Sequence, residues 1–323
     1  MIIKISSESE YCGEAVLKLL RSLSISSKMI KYLKYRDDGI TVNGNRVTVR
    51  YILRDGDTVR LAFDDALSSE SATPENIPIN IIYENDDMIV ADKPPFMPTH
   101  PSHNHHNDTL ANALAGYFHK KGVPFVFRPI NRLDRNTSGL VIVAKNKVAA
   151  ARLTHSMQNK QIQKTYVAYL DGALDDPDVT VEYRGMTLGI INKHMHRTEK
   201  SIIVRETCSP DAPDAEEALT YYRIVNRCDE CTEVEVFPQT GRTHQLRVHF
   251  ASLGHPIIGD DMYGSESPYI NRHALHAKSL DLPLPSAVTE DKNEKSETVT
   301  IHLEAPLPDD MEKLKNLFFE QRS

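Results

Sequence analysis

The sequence predicts an α+β protein in two parts: a small αβ unit, then a larger domain of short strands with interspersed helices. Three observations carry this reading. The 323 residues suit about two domains of ordinary size. From Ile81 onward short strand-like runs dominate, broken now and then by helical spacing. Between the parts, Leu67 to Asn80 is rich in serines and acids and carries Pro74 and Pro78, the composition of a linker. The expected units are therefore 1–66, a linker over 67–80, and 81–323.

In chain order, Glu14 to Leu23 has helical spacing, with Val16, Leu17, Leu19, Leu20 and Leu23 apolar. Ser26 or Ser27 can cap a second helix, with Met29, Ile30 and Leu33 on one face and Lys28, Lys31 and Lys34 on another. Ile40 to Val49 reads as a hairpin with Asn43-Gly44 at its turn. Asp55-Gly56-Asp57 turns the chain into a strand from Thr58 to Phe63. Ile81–Tyr83 and Met88–Ala91 flank another turn, and Lys93-Pro94-Pro95 breaks the second of them. Thr109 to Phe118 is helical, capped by Asp108 or Thr109. Leu140–Ala144, Thr165–Leu170, Ile202–Arg205, Leu219–Val225 and Thr232–Phe237 read as strands. Thr243–Leu253 reads as a helix capped by Thr243 and closed by Gly254. Ser286–Thr298 is a polar loop, Val299–Leu303 a last strand and Asp310–Phe319 a last amphipathic helix.

Hydrophobic content of 40% and charged content of 26% fit a soluble globular protein. No apolar run approaches the ~18 residues that span a bilayer, and the first residues lack a signal-peptide core. A cytoplasmic location, without membrane, is expected. Four cysteines are too few and too scattered for a disulfide framework. The formal charge of −7 argues against a polyanion partner until its distribution is considered. From Lys18 to Arg60, ten basic residues face four acids, +6 in that window and −13 elsewhere. Arg46 belongs to that basic set.

Two polar runs could carry chemistry. In Asn131-Arg132-Leu133-Asp134-Arg135-Asn136-Thr137-Ser138-Gly139, one carboxylate sits between two arginines, ahead of a buried apolar strand. Such a group can be only a surface ion pair with Arg132 or Arg135. It can also be a carboxylate kept ionised inside a polyanion site. In Thr240-Gly241-Arg242-Thr243-His244-Gln245-Leu246-Arg247-Val248-His249, His244 and Arg247 are three apart and share a helix face. This run is either a solvated helix start or an anion site.

Three ordered blocks resemble the RluA-type family of pseudouridine synthases: Arg-Leu-Asp-x-x-Thr-Ser-Gly at 132–139, Lys-x-Tyr at 164–166, and Gly-Arg-Thr-His-Gln-Leu-Arg-Val-His at 241–249. Lesser matches are Asp92-Lys93-Pro94, His100-Pro101, Gly259-Asp260 with Tyr263-Gly264, and Leu275-His276-Ala277. Residues 1–66 are similar to the RNA-binding domain named after ribosomal protein S4, with Lys28, Lys31, Lys34 and Arg46 as its RNA-facing cations. The resemblance implies a mixed, mostly antiparallel sheet with flanking helices, and isomerisation of uridine to pseudouridine in RNA without metal or other cofactor.

By the family pattern Asp134 is the catalytic carboxylate, attacking either the sugar or the ring. Tyr166 packs against the target base and helps remove the ring proton. Arg242 pairs with the carboxylate, Arg132 takes the space of the extruded base, and Leu246 lines the pocket. Thr137, Gly139, His244 and Arg247 complete the expected substrate-binding set. The family usually has His where this chain has Asn131; an amide that donates and accepts predicts retained activity.

Cys228-x-x-Cys231 stands alone and reads as free thiols. The cluster His100, His103, His105 and His106 reads as a solvated loop near RNA. His194 and His196, with Lys193, Arg197 and Lys200, form a hairpin that either touches phosphates or is merely charged. The expected partner is RNA, large-subunit ribosomal RNA before transfer RNA, with the chain acting as a monomer. A non-catalytic RNA-binding protein that keeps the fold is the competing reading. A glycosidase would need a second acid, and none lies in the three blocks.

Overall fold

The computed structural model describes residues 2–23, 25, 27–62, 72–199, 201–284 and 299–320. The N-terminal unit runs β1 (Ile2–Lys4), α1 (Val16–Ser22), α2 (Ser27–Tyr35), β2 (Ile40–Val42), β3 (Asn45–Arg46) and β4 (Thr58–Leu61). Its strands form an antiparallel sheet in the order β1-β4-β2-β3. Val16, Leu19, Leu20, Leu33, Ile40, Leu53 and Val59 bury a core of its own beneath that sheet. The Asn43-Gly44 turn has positive φ at both residues, 51° and 80°, the geometry that Asn-Gly supplies to a two-residue hairpin. Asn43 also ties the hairpin to β4, accepting from the Thr58 amide and donating to Asp57. Ser26 and Phe63 lie outside the described residues, as does 64–71.

The second half of the expected linker is not free. Residues 72–79 lie along α3 (Leu110–Lys120), with Asn112 Nδ2 donating to Thr73 O and Glu75 N donating to Asn112 O. Gly116 allows this contact: a Cβ there would stand 1.9 Å from the Glu75 carbonyl oxygen. Ile77 and Ile79 then pack on the main core.

The larger sheet is assembled from β5 (Asn80–Glu84), β6 (Met88–Lys93), β7 (Ser138–Ala144), β8 (Gln163–Asp171), β9 (Thr180–Tyr183), β10 (Met186–Arg197), β11 (Arg205–Cys208), β12 (Glu216–Arg227), β13 (Cys231–Pro238), β14 (Leu275–Pro283) and β15 (Thr300–Glu304). Its order is β11-β10-β12-β13-β8-β14-β7-β6-β5, with β9 on β10 and β15 on β14. All pairs are antiparallel except β14 with β7. Every residue of β7 is buried. Val141 and Val143 enter one core and Leu140, Ile142 and Ala144 the other, so both faces of the sheet are covered. That is why the run reads as continuously apolar rather than alternating. Helices α4 (Lys147–Gln158), α5 (Gln245–Ala251) and α6 (Asp309–Lys315) complete the layers.

Several elements differ from the sequence expectation. β1, α4, β9 and β14 were not anticipated, and β10 starts well before the hairpin expected at His194 and His196. The Asn146 side chain caps α4 by accepting from Ala149 N, a start signal present in the sequence. The strand expected at Ile202–Arg205 begins at Arg205 instead, leaving Ile202 and Ile203 79% and 55% exposed at the hairpin tip. Helix α5 is shorter than expected. Thr243 does not cap it: His244 occupies that place with a left-handed φ of 59° and no side-chain cap bond. The loop Ser286–Thr298 lies outside the described residues. Among the described residues no helix is long and apolar enough to cross a membrane.

Candidate active site

The loop before β7 is fixed at nearly every residue. Asn131 accepts from Ile142 N and donates to Leu140 O, tying the loop to β7. Thr99 Oγ1 donates to Leu133 O at 2.9 Å. Lys93, fully buried, donates to the carbonyls of Pro94, Met97 and Arg135. Burial, with help from the Arg272 charge, lowers its pKa to about 7. Arg272 donates to Asn136 O and holds Asp310 of α6 through two bonds of 2.7 and 2.8 Å. The Thr137 hydroxyl meets His273 at 2.7 Å, and Ser138 meets His276 at 2.9 Å. Gly139, φ 110°, lets β7 lie against β14: a Cβ would fall 2.3 Å from Ala277 O. The backbone around Asp134 is therefore held from three separate segments of chain.

Asp134 projects into a cleft of about 450 Å³ lined by Arg132, Tyr166, Lys164, His244, Leu246 and Arg247, among others. Its carboxylate keeps 24% of its surface exposed. Arg247 Nη1 approaches its Oδ2 at 3.7 Å and His244 Nε2 approaches the same oxygen at 3.8 Å. The Arg247 contact is an ion pair, and both distances are longer than hydrogen bonds. The rest of the Arg247 fork is committed: Nε and Nη2 each bind Asp260 at 2.7 Å. Burial alone would raise the Asp260 carboxyl, but the hydrogen-bonded Arg247 outweighs it and holds the group below the ordinary range. Asp260 also accepts from the amides of Met262 and Tyr263. Burial lowers the His244 pKa, with Asp134 opposing, so the ring is neutral near pH 7.

Tyr166, 8% exposed, forms the wall opposite, and its hydroxyl bonds to no other described residue. Burial, then the negative charge of Asp134, raises its pKa. In the free protein it is a neutral phenol packed in the cleft wall. Lys164, two residues earlier on β8 and so on the same side of the strand, also lines the cleft. It has no side-chain partner among the described residues, and burial lowers its pKa.

The family sequence model described as RNA pseudouridylate synthase matches residues 87–252, just over half of the chain. Over 305 residues the chain is 33% identical to the uncharacterized RNA pseudouridine synthase YjbO of Bacillus subtilis (strain 168), covering 94% of this chain and 96% of that one. The chain belongs to the RNA pseudouridylate synthase family. It is 31% identical to the ribosomal large subunit pseudouridine synthase D of Vibrio cholerae serotype O1, over 96% of this chain and 91% of that one. The solved human RNA Pseudouridylate Synthase Domain Containing 1 is 26% identical, with a TM-score of 0.55 over 71% of this chain and 83% of that chain. The protein is thus an RNA-acting isomerase.

Against this frame the expected site residues of the synthase divide. Asp134, Tyr166, Arg132, Leu246, His244 and Arg247 share the cleft. Arg242 lines it too but does not pair with Asp134. Its guanidinium binds Glu216 at 2.8 Å and the Glu217 carbonyl at 3.0 Å, and Arg247 takes the place beside the carboxylate. The reason is the tight turn at 240–244, closed by Gln245 Oε1, which accepts from Thr240 and Arg242 N and sends the Arg242 side chain toward β12. Thr137 lines the cleft as well, with its hydroxyl held by His273, whereas Gly139 does not line it and serves the β7–β14 contact instead. Sequence reasoning assigned no role to Lys93, Lys164, Asp260, Tyr263 or Arg272, although the first four lay in matched blocks.

In the N-terminal unit, Lys31 and Lys34 are exposed on α2, which also contains Lys28, and Tyr35 is 78% exposed. Arg46 is partly engaged, pairing with Asp37 and donating to Lys34 O. Cys228 and Cys231 sit at the β12–β13 turn as free thiols. Among the described residues no three or more His, Cys, Asp or Glu are grouped to hold a metal.

Three buried histidines give the synthase a pH signature. Burial lowers the pKa of His249 and His276 to about 4 and that of His273 to about 3. Below the ordinary value of 6.5 the unfolded chain takes up these protons and the native protein does not. Stability is therefore intact above about pH 6.5 and falls as pH drops toward 4, by up to ~1.4 kcal/mol per pH unit for each histidine. Thermal melts between pH 7.5 and 4.5 should show this loss, with a shallower slope in His276→Asn.

Proposed function

We propose that this synthase isomerises specific uridines in structured RNA, with large-subunit ribosomal RNA as its target and Asp134 as its reacting carboxylate. One observation carries the reading: a partly exposed carboxylate, on a loop anchored from several sides, faces a nucleotide-sized cleft with a cation on one oxygen. Uridine N1 must leave ribose C1′ and C5 must replace it. Asp134 stabilises or traps the electron-poor C1′ while the N1–C1′ bond breaks and the base turns. The C5–C1′ bond then forms, C5 loses its proton and N1 gains one. Arg247 places a positive charge 3.7 Å from the carboxylate. Tyr166 and Leu246 pack against the base, and Arg132, whose side chain has no partner among the described residues, fills the stack that the flipped base leaves.

The ribosomal target is inferred from relatives, among them the Vibrio cholerae and Nitrosomonas europaea proteins named as large-subunit synthases, the latter 31% identical over 85% of this chain. Mapping pseudouridine in ribosomal and transfer RNA, from cells with and without this chain, tests it. Loss confined to large-subunit RNA is expected; loss only in transfer RNA would reassign the substrate.

Residues 1–66 act as the S4-like RNA-binding module. Its core is separate, while 72–79 stay docked on α3. Removing 1–66 should weaken RNA binding and make the log-log salt dependence shallower by roughly 2, as two or three phosphate contacts are lost. An unchanged slope would deny the module that role.

A further inference from the structure

We infer that Tyr263 fixes the tautomer of His244, so that His244 presents a permanent Nε2–H donor to Asp134. The chain of bonds begins outside the site. The backbone N–H of Arg205, at the start of β11, lies 2.9 Å from the Tyr263 hydroxyl oxygen. An amide N–H can only donate, so it occupies a lone pair of that oxygen. The same oxygen lies 2.8 Å from His244 Nδ1. The phenol has one proton, and Nδ1 is its one bonded acceptor among the described residues. Were Nδ1 protonated, the oxygen would accept twice and its own proton would have no partner. Nδ1 is therefore bare and the ring proton sits on Nε2, the nitrogen 3.8 Å from Asp134 Oδ2.

Tyr263 reaches the second neighbour of Asp134 as well, because the Arg247 guanidinium lies 5.0 Å over its ring. Both flanking groups thus depend on one tyrosine, and both approach the same carboxylate oxygen. The opposite tautomer would aim a lone pair at the carboxylate and repel it. Burial supports the arrangement by keeping Tyr263 protonated and His244 neutral, although Asp134, Arg247, Asp260 and Arg205 all face the ring. Tyr263 is a positioning residue: it acts on Asp134 only through His244 and Arg247.

The effect on turnover rests on Asp134 being the reacting group; the tautomer does not. The full chain, labelled with ¹⁵N-histidine, separates the two by long-range proton–nitrogen correlation at neutral pH. The His244 signals, one set of 14, are assigned by their loss in His244→Gln. Nδ1 should resonate as a bare, pyridine-type nitrogen and Nε2 as a protonated one; the reverse in the wild type overturns the inference. In Tyr263→Phe the single tautomer should be lost, and kcat should fall about tenfold with KM within about twofold. A folded variant with unchanged tautomer and kcat would refute the link. Should Tyr263→Phe not fold, two amides decide: Gln places its NH2 near Nε2, Asn near Nδ1. His244→Gln should turn over about tenfold faster than His244→Asn, and the opposite order contradicts the inference. Absence of any conversion by the wild type would count against the isomerase reading of Asp134 instead.

Discussion

Asp134→Asn should lower pseudouridine formation by at least ~10⁴-fold while RNA affinity stays within about threefold. The substitution keeps shape and volume, and among the described residues none hydrogen-bonds the Asp134 carboxylate: His244 and Arg247 stand 3.8 and 3.7 Å away. The fold should therefore survive, and a melting temperature near that of the wild type is part of the expectation. What the amide cannot do is carry negative charge at ribose C1′. Single-turnover conversion and RNA binding, measured on the same preparation, separate chemistry from affinity. Residual turnover near the wild-type rate would remove Asp134 from the reaction.

The second large effect concerns Arg247 and Asp260. Arg247 is 5% exposed and Asp260 fully buried, joined by two bonds of 2.7 Å. Arg247→Met leaves a buried carboxylate without its counter-charge, which costs about 3–5 kcal/mol. It also strips the cation from beside Asp134. Both stability and turnover should collapse. Arg247→Lys discriminates between the two losses. A lysine retains the charge but cannot grip Asp260 with two nitrogens while a third faces Asp134. Stability should drop by only about 1–3 kcal/mol, whereas turnover should fall by about 100-fold. Chemical denaturation and single-turnover rates read the two effects independently. Arg242→Met, in contrast, removes a partly exposed pair with Glu216 and should cost less than about 1 kcal/mol.

That contrast also marks where the sequence was legible and where it was not. Arg242 and Arg247 lie five residues apart in one block, and composition cannot say which faces the carboxylate. The spacing of His244 and Arg247 suggested one helix face; His244 instead sits left-handed just ahead of α5, yet both residues reach Asp134. What sends Arg242 away is the Gln245 amide closing the 240–244 turn, a contact made only in three dimensions. Leu140–Ala144 was readable as a buried strand because both its faces are covered. The strand β14, which pairs with it in parallel, was not. Its alternation slips at Lys278-Ser279, where its pairing with β8 shifts register, and its β7 partner lies over a hundred residues earlier. Lys93, Arg272 and Asp310 escaped for the same reason: each holds the reacting loop through backbone carbonyls or long-range pairs that have no sequence period.

Much of the N-terminal unit was legible from local signals, but β1 was not: it is set by its long-range pairing with β4. The Asn43-Gly44 turn and the amphipathic α2 appear as expected, since both are set within a few residues. The linker was misjudged because a proline- and serine-containing segment can still dock when a glycine, here Gly116, opens a groove for it.

Release of tritium from RNA labelled at uridine C5 tests the isomerase reading most directly, because forming the C5–C1′ bond must expel that hydrogen. RNA from cells lacking this chain supplies unmodified substrate. Wild-type protein should release tritium from large-subunit ribosomal RNA, in step with pseudouridine formed, and Asp134→Asn should release none. No release by the wild type from any cellular RNA, or equal release by Asp134→Asn, would contradict it.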